Sequence, residues 1–208
     1  MLRYSRLETP LPIKRIDMLA AVIPSKTRRK ILELFFTHHT DLYYLRNIVR
    51  AVDEEVNAVK RELDILEKAK ILFKEKRLNK SFYTLNKAYI FYEEFLRIFA
   101  KTSPFPQAVH ENAPRLGKIK FASLSVKFIK QIPIKKDEVY FLLVGMIIIP
   151  EIEVFIKRME EASGRQIDYT VMTEEEFIFR KRNNDPFLWR FLRTPKIMIC
   201  GSEEELMK

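Results

Sequence analysis

Between Arg115 and Lys136 the chain places seven basic side chains and no acidic one: Arg115, Lys118, Lys120, Lys127, Lys130, Lys135 and Lys136. Such a run suits the holding of phosphates, because each cationic head can neutralise a phosphate oxygen. The plainer alternative is a set of solvated lysines around strands. Other reactive residue types are sparse. Cys200 is the single cysteine, so an intramolecular disulfide is impossible and a cysteine zinc site is not expected. His38 and His39 are adjacent, but no carboxylate or cysteine stands at ligand spacing, so they read as a surface pair. No serine, histidine and acid form a recognisable nucleophile motif. The four glycines, Gly117, Gly145, Gly164 and Gly201, build neither GxGxxG nor GxxxxGK[ST]. That excludes a P-loop ATPase and a glycine-fingerprint dinucleotide enzyme. No metal and no cofactor are expected.

The elements that carry these residues belong to a chain of 208 residues, enough for one large domain or two small ones. Hydrophobic residues make up 47%, which supports one or two packed cores and excludes wholesale disorder. No apolar run reaches the roughly 18–20 residues of a spanning helix, so no membrane partner is expected. The N-terminal Met1-Leu-Arg-Tyr-Ser-Arg carries charge without an apolar core, which predicts no secretory signal and a cytoplasmic location. The formal net charge of +10 favours a polyanionic partner. It is unevenly spread: residues 1–101 carry +8 and residues 102–208 carry +2. A 32% share of charged residues beside three glutamines is a composition common in proteins from hot environments.

In the first half, Ser25 is placed to cap a helix through Arg28 to Phe36, with Ile31, Leu32, Phe35 and Phe36 as its apolar face. Thr40 would cap a second helix carrying Leu42, Leu45, Ile48 and Val49. Asp53 would cap a third, residues 53–69, with Val56, Val59, Leu63 and Leu66 on one face. Two β-like runs, from Ile71 and from Ser81, flank a polar Arg77-Leu-Asn-Lys turn. Three helices followed by a hairpin is the order of a winged helix-turn-helix. The stretch from Ser25 to Leu85, above all Val56-Asn-Ala-Val-Lys-Arg-Glu-Leu and the closing Phe82-Tyr-Thr-Leu-Asn, resembles archaeal and bacterial winged-helix regulators. The resemblance implies that Asn57, Lys60 and Arg61 face bases and phosphates in the major groove. It puts Lys76, Arg77 and Lys80 on the wing. Against it stand six acids in residues 53–69, namely Asp53, Glu54, Glu55, Glu62, Asp64 and Glu67, because phosphate would be repelled there. Helix capping is the plain account of the first three.

An aromatic-rich helix is expected from Lys87 to Ala100. Its rings, among them Tyr89, Phe91, Tyr92, Phe95 and Phe99, cover more than one face. A second copy of the chain is the expected cover, making a homodimer; packing on the chain's own second half is the alternative. Three prolines between Lys101 and Pro114 then read as a linker holding His110.

The second half alternates strands and helices, as in a small α/β domain. Leu142-Leu-Val-Gly, Gly164-Arg-Gln-Ile-Asp-Tyr-Thr-Val-Met, Arg180-Lys-Arg-Asn-Asn-Asp-Pro-Phe-Leu and Pro195-Lys-Ile resemble the minimal nucleotidyltransferase domain, in the form fused behind archaeal winged helices. Active members use a Gly-Ser turn, an Asp-x-Asp pair and a third carboxylate to hold two metal ions. Here the pair falls on Glu138 and Tyr140, Asp168 takes the third place, Asp137 is off register, and neither Ser123 nor Ser125 has a glycine beside it. The resemblance therefore implies a catalytic domain without its chemistry.

The expected fold is α+β: a winged helix-turn-helix over residues 1–86, an aromatic linker or dimer helix with the Pro-rich linker over 87–113, and a degenerate nucleotidyltransferase-like domain over 114–208. The expected function is that of a non-enzymatic, homodimeric nucleic-acid-binding protein, most simply a transcriptional regulator on duplex DNA. The alternative partner is structured RNA or a ribosomal subunit, which a dimer could bridge or block from association. An active nucleotidyltransferase is the third possibility.

Overall fold

The computed structural model describes residues 19–37 and 42–208. The expectations for Thr40, for His38-His39 and for residues 1–18 lie outside the described residues. Helix α1 (Lys26–Thr37) starts at Ser25, whose hydroxyl accepts a hydrogen bond from the Arg28 N–H at 3.2 Å. A two-residue strand β1 (Tyr43–Tyr44) precedes α2 (Leu45–Val52) and α3 (Val56–Lys68). Strands β2 (Leu72–Arg77) and β3 (Lys80–Leu85) form the hairpin, and β1 pairs with β3, giving the sheet order β1-β3-β2. Periodicity alone missed β1, since two residues carry no alternation to read. Asp53 does not cap α3. It closes α2 in the left-handed conformation (φ 49°), and Glu55 caps α3 by accepting from the Ala58 N–H at 3.0 Å. Ile31, Phe35, Ile48, Val59, Leu63 and Leu72 meet beneath the three helices, each fully buried.

Helix α4 (Tyr92–Lys101) begins later than expected, after a turn at residues 87–91. The proline-rich stretch is no linker. It forms helix α5 (Pro104–Leu116), with Pro104 and Pro106 in the first turn, where the backbone N–H groups have no helical partner to lose. Phe105, Val109 and Leu116 lie buried along it at helical spacing. Pro104 and Pro106 are thus compatible with a helix start, whereas Pro114 lies inside the last turn.

Strand β4 (Gly117–Ser125), the short turn of helix α6 (Val126–Ile129), β5 (Phe141–Ile147), α7 (Ile149–Ser163), β6 (Tyr169–Met172), α8 (Glu174–Arg182), α9 (Pro186–Arg193), β7 (Lys196–Cys200) and α10 (Glu203–Met207) complete the chain. The four strands form one mixed sheet of order β6-β5-β4-β7, parallel only between β5 and β6. Alternation on the strands divides two cores. Phe141 and Leu143 join Ala122, Leu124 and α7, whereas Leu142 and Val144 join Phe121, Phe177 and Leu188. A sheet covered on both faces needs unbroken apolar strands, and Phe141 to Val144 are all fully buried. Gly145 adopts φ +144°, and a Cβ there would lie 2.2 Å from the Lys118 carbonyl oxygen, beside the irregular pairing at Ile119–Phe121. The two halves share apolar packing, because Val126 and Ile197 join the cluster built on α1 and α4. Among the described residues no helix is long and apolar enough to cross a membrane.

Candidate nucleic-acid interface

Burial of Val59, Leu63 and Leu66 against the first half's core turns the opposite side of α3 outward. Asn57, Lys60 and Arg61 are all exposed on it. The acids that seemed to forbid this face are held elsewhere. Glu54 bridges Lys26 at 2.9 Å and Lys30 at 2.7 Å, which hold its carboxyl below the ordinary glutamate range, Lys30 more strongly. Glu62 accepts from Ser25 at 2.6 Å and from Arg28 at 2.7 Å. Lys74 on β2 lies 3.2 Å from Asp64 and 3.9 Å from Glu67. Glu55 is occupied by the backbone N–H groups of Asn57 and Ala58, which also lower its pKa. Of the six acids only Asp53 lacks such a partner among the described residues. Lys60 and Arg61 form no ion pair with any described residue, and neither do Arg46 and Arg50 on the exposed side of α2. The two α2 arginines escaped sequence reasoning. Their signal was the spacing of four opposite the buried Ile48 and Val52.

The hairpin continues this basic surface. Lys76 is exposed without an ion pair, and Lys80 sits 5.2 Å above the Tyr44 ring. Arg77 makes a two-pronged pair with Glu75 at 2.9 Å and lies 5.7 Å from the Phe82 ring. That ion pair is exposed on both sides, so solvent and salt leave it little strength and a phosphate can compete for Arg77.

The seven bases from Arg115 to Lys136 do not make one strip. Four pair with acids outside the run: Arg115 with Glu151 at 3.3 Å, Lys120 with Glu174 at 2.6 Å, Lys127 with Glu138 at 2.7 Å and Lys130 with Glu93 at 3.5 Å. The Arg115 and Lys120 pairs are exposed on both sides, as the Arg77–Glu75 pair is, and are equally open to competition by phosphate. Lys118, Lys135 and Lys136 stay exposed and form no ion pair with a described residue, with Lys135 and Lys136 lining the same hollow as Glu153 and Glu160. A sequence window sees the local absence of acids but not the partners that the fold brings in.

The aromatic helix is covered from within. Tyr92 and Phe99 are buried, and Phe99 stacks on Phe36 of α1 with ring centroids 5.4 Å apart. Phe95 stacks on both at 5.8 Å and 6.2 Å, and Tyr89 is half-buried against Phe95. Of the five rings assigned to a dimer face, Phe91 alone is exposed, next to Ile90 and near Ile98. The surplus of rings on this helix is absorbed by α1, the chain's first half, with Val126 and Ile197 of the second half in the same cluster.

Glu138, Tyr140, Asp168, Asp137, Ser123 and Ser125, singled out by the resemblance, have these surroundings. The Tyr140 hydroxyl donates to the Ile132 carbonyl at 3.1 Å, and its ring packs on Phe128. Glu138 accepts from Lys127 and, at 3.1 Å, from the Lys135 N–H; these contacts, Lys127 first, hold its carboxyl below the ordinary range. Asp168 accepts from the Gln166 amide at 2.9 Å, and Asp137 pairs with Arg190. Ser125 caps α6, and the Ser123 hydroxyl is buried with no hydrogen-bond partner among the described residues. The space enclosed by Ser125, Lys127, Glu138 and Arg190 is about 10 Å³, room for one water. Among the described residues, no three His, Cys, Asp or Glu side chains come together as a metal site.

The Glu138 contacts carry a pH prediction. A carboxyl with a lowered folded pKa stabilises the fold above the ordinary glutamate value and loses that contribution as pH falls through the lowered one. Glu138→Gln is expected to cost about 1 kcal/mol near neutrality. Denaturant titrations at several pH values should show the gap to wild type closing below about pH 4. A gap independent of pH would mean that the Lys127 contact contributes nothing through charge.

No family model, no curated protein and no solved structure matches the chain.

Proposed function

We propose that the chain is a non-enzymatic nucleic-acid-binding protein, a winged-helix regulator that reads duplex DNA with α3 and steadies it with the β2–β3 wing. One observation carries this reading. Glu54 just before α3 and Glu62 and Asp64 on it are drawn off by Lys26, Lys30, Arg28 and Lys74, which leaves Asn57, Lys60 and Arg61 on an outward face with Arg46 and Arg50, neither paired with a described residue. Support for the fold comes from the order of three helices and a hairpin, with β1 closing a three-stranded sheet. The second half is proposed as the degenerate nucleotidyltransferase-like domain, supported by its mixed sheet and by a tyrosine at the second carboxylate position. A second copy would sit on Ile90, Phe91 and Ile98, the part of the aromatic segment left open. Light scattering across concentrations tests that: a monomer throughout removes the homodimer and leaves the α3 face standing.

A second reading, structured RNA or a ribosomal subunit, is favoured by the aromatic character of the wing. Tyr44 and Phe82 pack 6.1 Å apart beside Lys80 and Arg77, and Phe73 is exposed on β2. Aromatic rings among cations suit unpaired bases better than a closed duplex. Purification from native cells at low salt, with sequencing of the nucleic acid that accompanies the chain, separates the two. Genomic fragments sharing a two-fold-related site are the expected result. Ribosomal RNA with subunit proteins would move the function to translation. No nucleotide incorporation is expected with Mg²⁺ or Mn²⁺; activity lost in Glu138→Ala and Asp168→Ala would overturn the non-enzymatic reading.

A further inference from the structure

A cavity of about 240 Å³ lies at the seam of the two halves. Phe36 of α1 and Phe99 of α4 wall it on one side, and Phe128, Met159 and Ile167 on the other. Within these apolar walls stands Arg165. Its guanidinium lies 4.6 Å from the Phe128 ring centre, and two of its nitrogens each donate to the Phe128 carbonyl at 3.2 Å. Those bonds use two of the five N–H groups an arginine carries. Among the described residues no acidic side chain lines the cavity and none forms an ion pair with Arg165. The hydroxyls of Ser103 and Ser163 are already donated to the carbonyls of Ala100 and Met159, so neither competes for that role. A partly buried cation with no counter-ion among the described residues, set among aromatic and aliphatic side chains, is suited to receive an anion.

The geometry points to a small-molecule site at this seam that takes an apolar monocarboxylate, with the carboxylate on Arg165 and the hydrocarbon against Phe36, Phe99 and Phe128. The volume admits several waters or a small organic molecule. Because α1 and α4 wall one side and α6 and α7 the other, an occupant contacts both halves at once. Stabilisation of the folded chain is the direct consequence of binding. This site stands apart from the α3 face, and its test does not require nucleic acid.

The test is calorimetric titration of the full chain with octanoate, octanamide and 1-octanol, with thermal unfolding in parallel. Octanoate is expected to bind saturably with a Kd of about a millimolar or below, the scale open to a ligand of this size. It should raise Tm. Octanamide and 1-octanol should bind at least about tenfold more weakly. Arg165→Gln should weaken octanoate by a similar factor while leaving the two neutral probes unchanged. Ser103→Phe, which fills the cavity from its rim and leaves Arg165 in place, should abolish binding of all three. Absence of saturable octanoate binding to the wild type would overturn the proposal. So would equal affinity for octanoate and octanamide, or binding untouched by Ser103→Phe.

Discussion

Replacing Lys60 and Arg61 together by glutamate should remove most of the affinity for duplex DNA and flatten its dependence on salt. Each phosphate neutralised by a basic side chain contributes about −0.9 to the slope of log affinity against log salt. Loss of two such contacts should therefore reduce the slope by about 2. The reversed charges add repulsion, and together the effects amount to about a hundredfold or more in affinity at moderate salt. The fold should not notice. Both side chains are exposed and pair with no described residue, so thermal unfolding should stay within about 0.5 kcal/mol of wild type. Lys60→Gln with Arg61→Gln should give the same slope change with a smaller loss of affinity, because neutralisation removes contacts without adding repulsion. An unchanged slope in both variants would show that α3 is not the face that meets phosphate. If binding to ribosomal subunits fell while duplex binding had been negligible from the start, the same residues would be assigned to RNA.

That prediction depends on how α3 carries its acids, and the sequence showed this only in part. Helix periodicity made Val59, Leu63 and Leu66 legible as the buried face, and hence Asn57, Lys60 and Arg61 as the open one. The partners of Glu54, Glu62, Asp64 and Glu67 were not legible. Lys26, Lys30 and Arg28 come from α1, at separations that no local window spans, and Lys74 is brought to Asp64 and Glu67 only by the turn from α3 into β2. The same blindness acted in the opposite direction on residues 115–136. There a locally acid-free run looked like an open phosphate strip, yet Glu93, Glu138, Glu151 and Glu174 pair with four of its seven bases. Charge patterns are thus read safely from sequence only where the fold is already known to keep distant acids away.

The backbone errors have a different origin. Pro104, Pro106 and Pro114 suggested a break because proline interrupts a helix interior. For Pro104 and Pro106 in the first turn that objection lapses, Pro114 falls in the last turn of α5, and Phe105, Val109 and Leu116 supply the apolar spacing that builds the helix. The cavity at Arg165 had no sequence signature at all. Its walls come from α1, α4, α6 and α7, and only the packing of the two halves brings Phe36 to within reach of the same space as Phe128.

The cover of the aromatic helix decides a second large effect, that of Phe36→Ala. Phe36 is 1% exposed and touches three rings: Tyr92 at 5.9 Å, Phe95 at 5.8 Å and Phe99 at 5.4 Å between centroids, the last nearly parallel at 11°. Truncation to alanine removes that contact surface and leaves a hole that rigid rings fill poorly, at a cost of about 3–5 kcal/mol. For a chain of this size that corresponds to roughly 10 °C in Tm. Phe36→Leu retains much of the volume and should cost less than half as much. The way the loss is distributed tests the architecture. Val126 and Ile197 of the second half belong to the same apolar cluster, so both halves should unfold in one transition that moves as a unit. Rings covered by α1 of the same chain make the cost independent of protein concentration. Rings covered mainly by a second copy would make Tm rise with concentration in the wild type, and Phe36→Ala would weaken that rise. A destabilisation of several kcal/mol at every concentration therefore assigns the aromatic stack to the interior of one chain. It leaves Ile90, Phe91 and Ile98 as the surface on which a second copy would have to be sought.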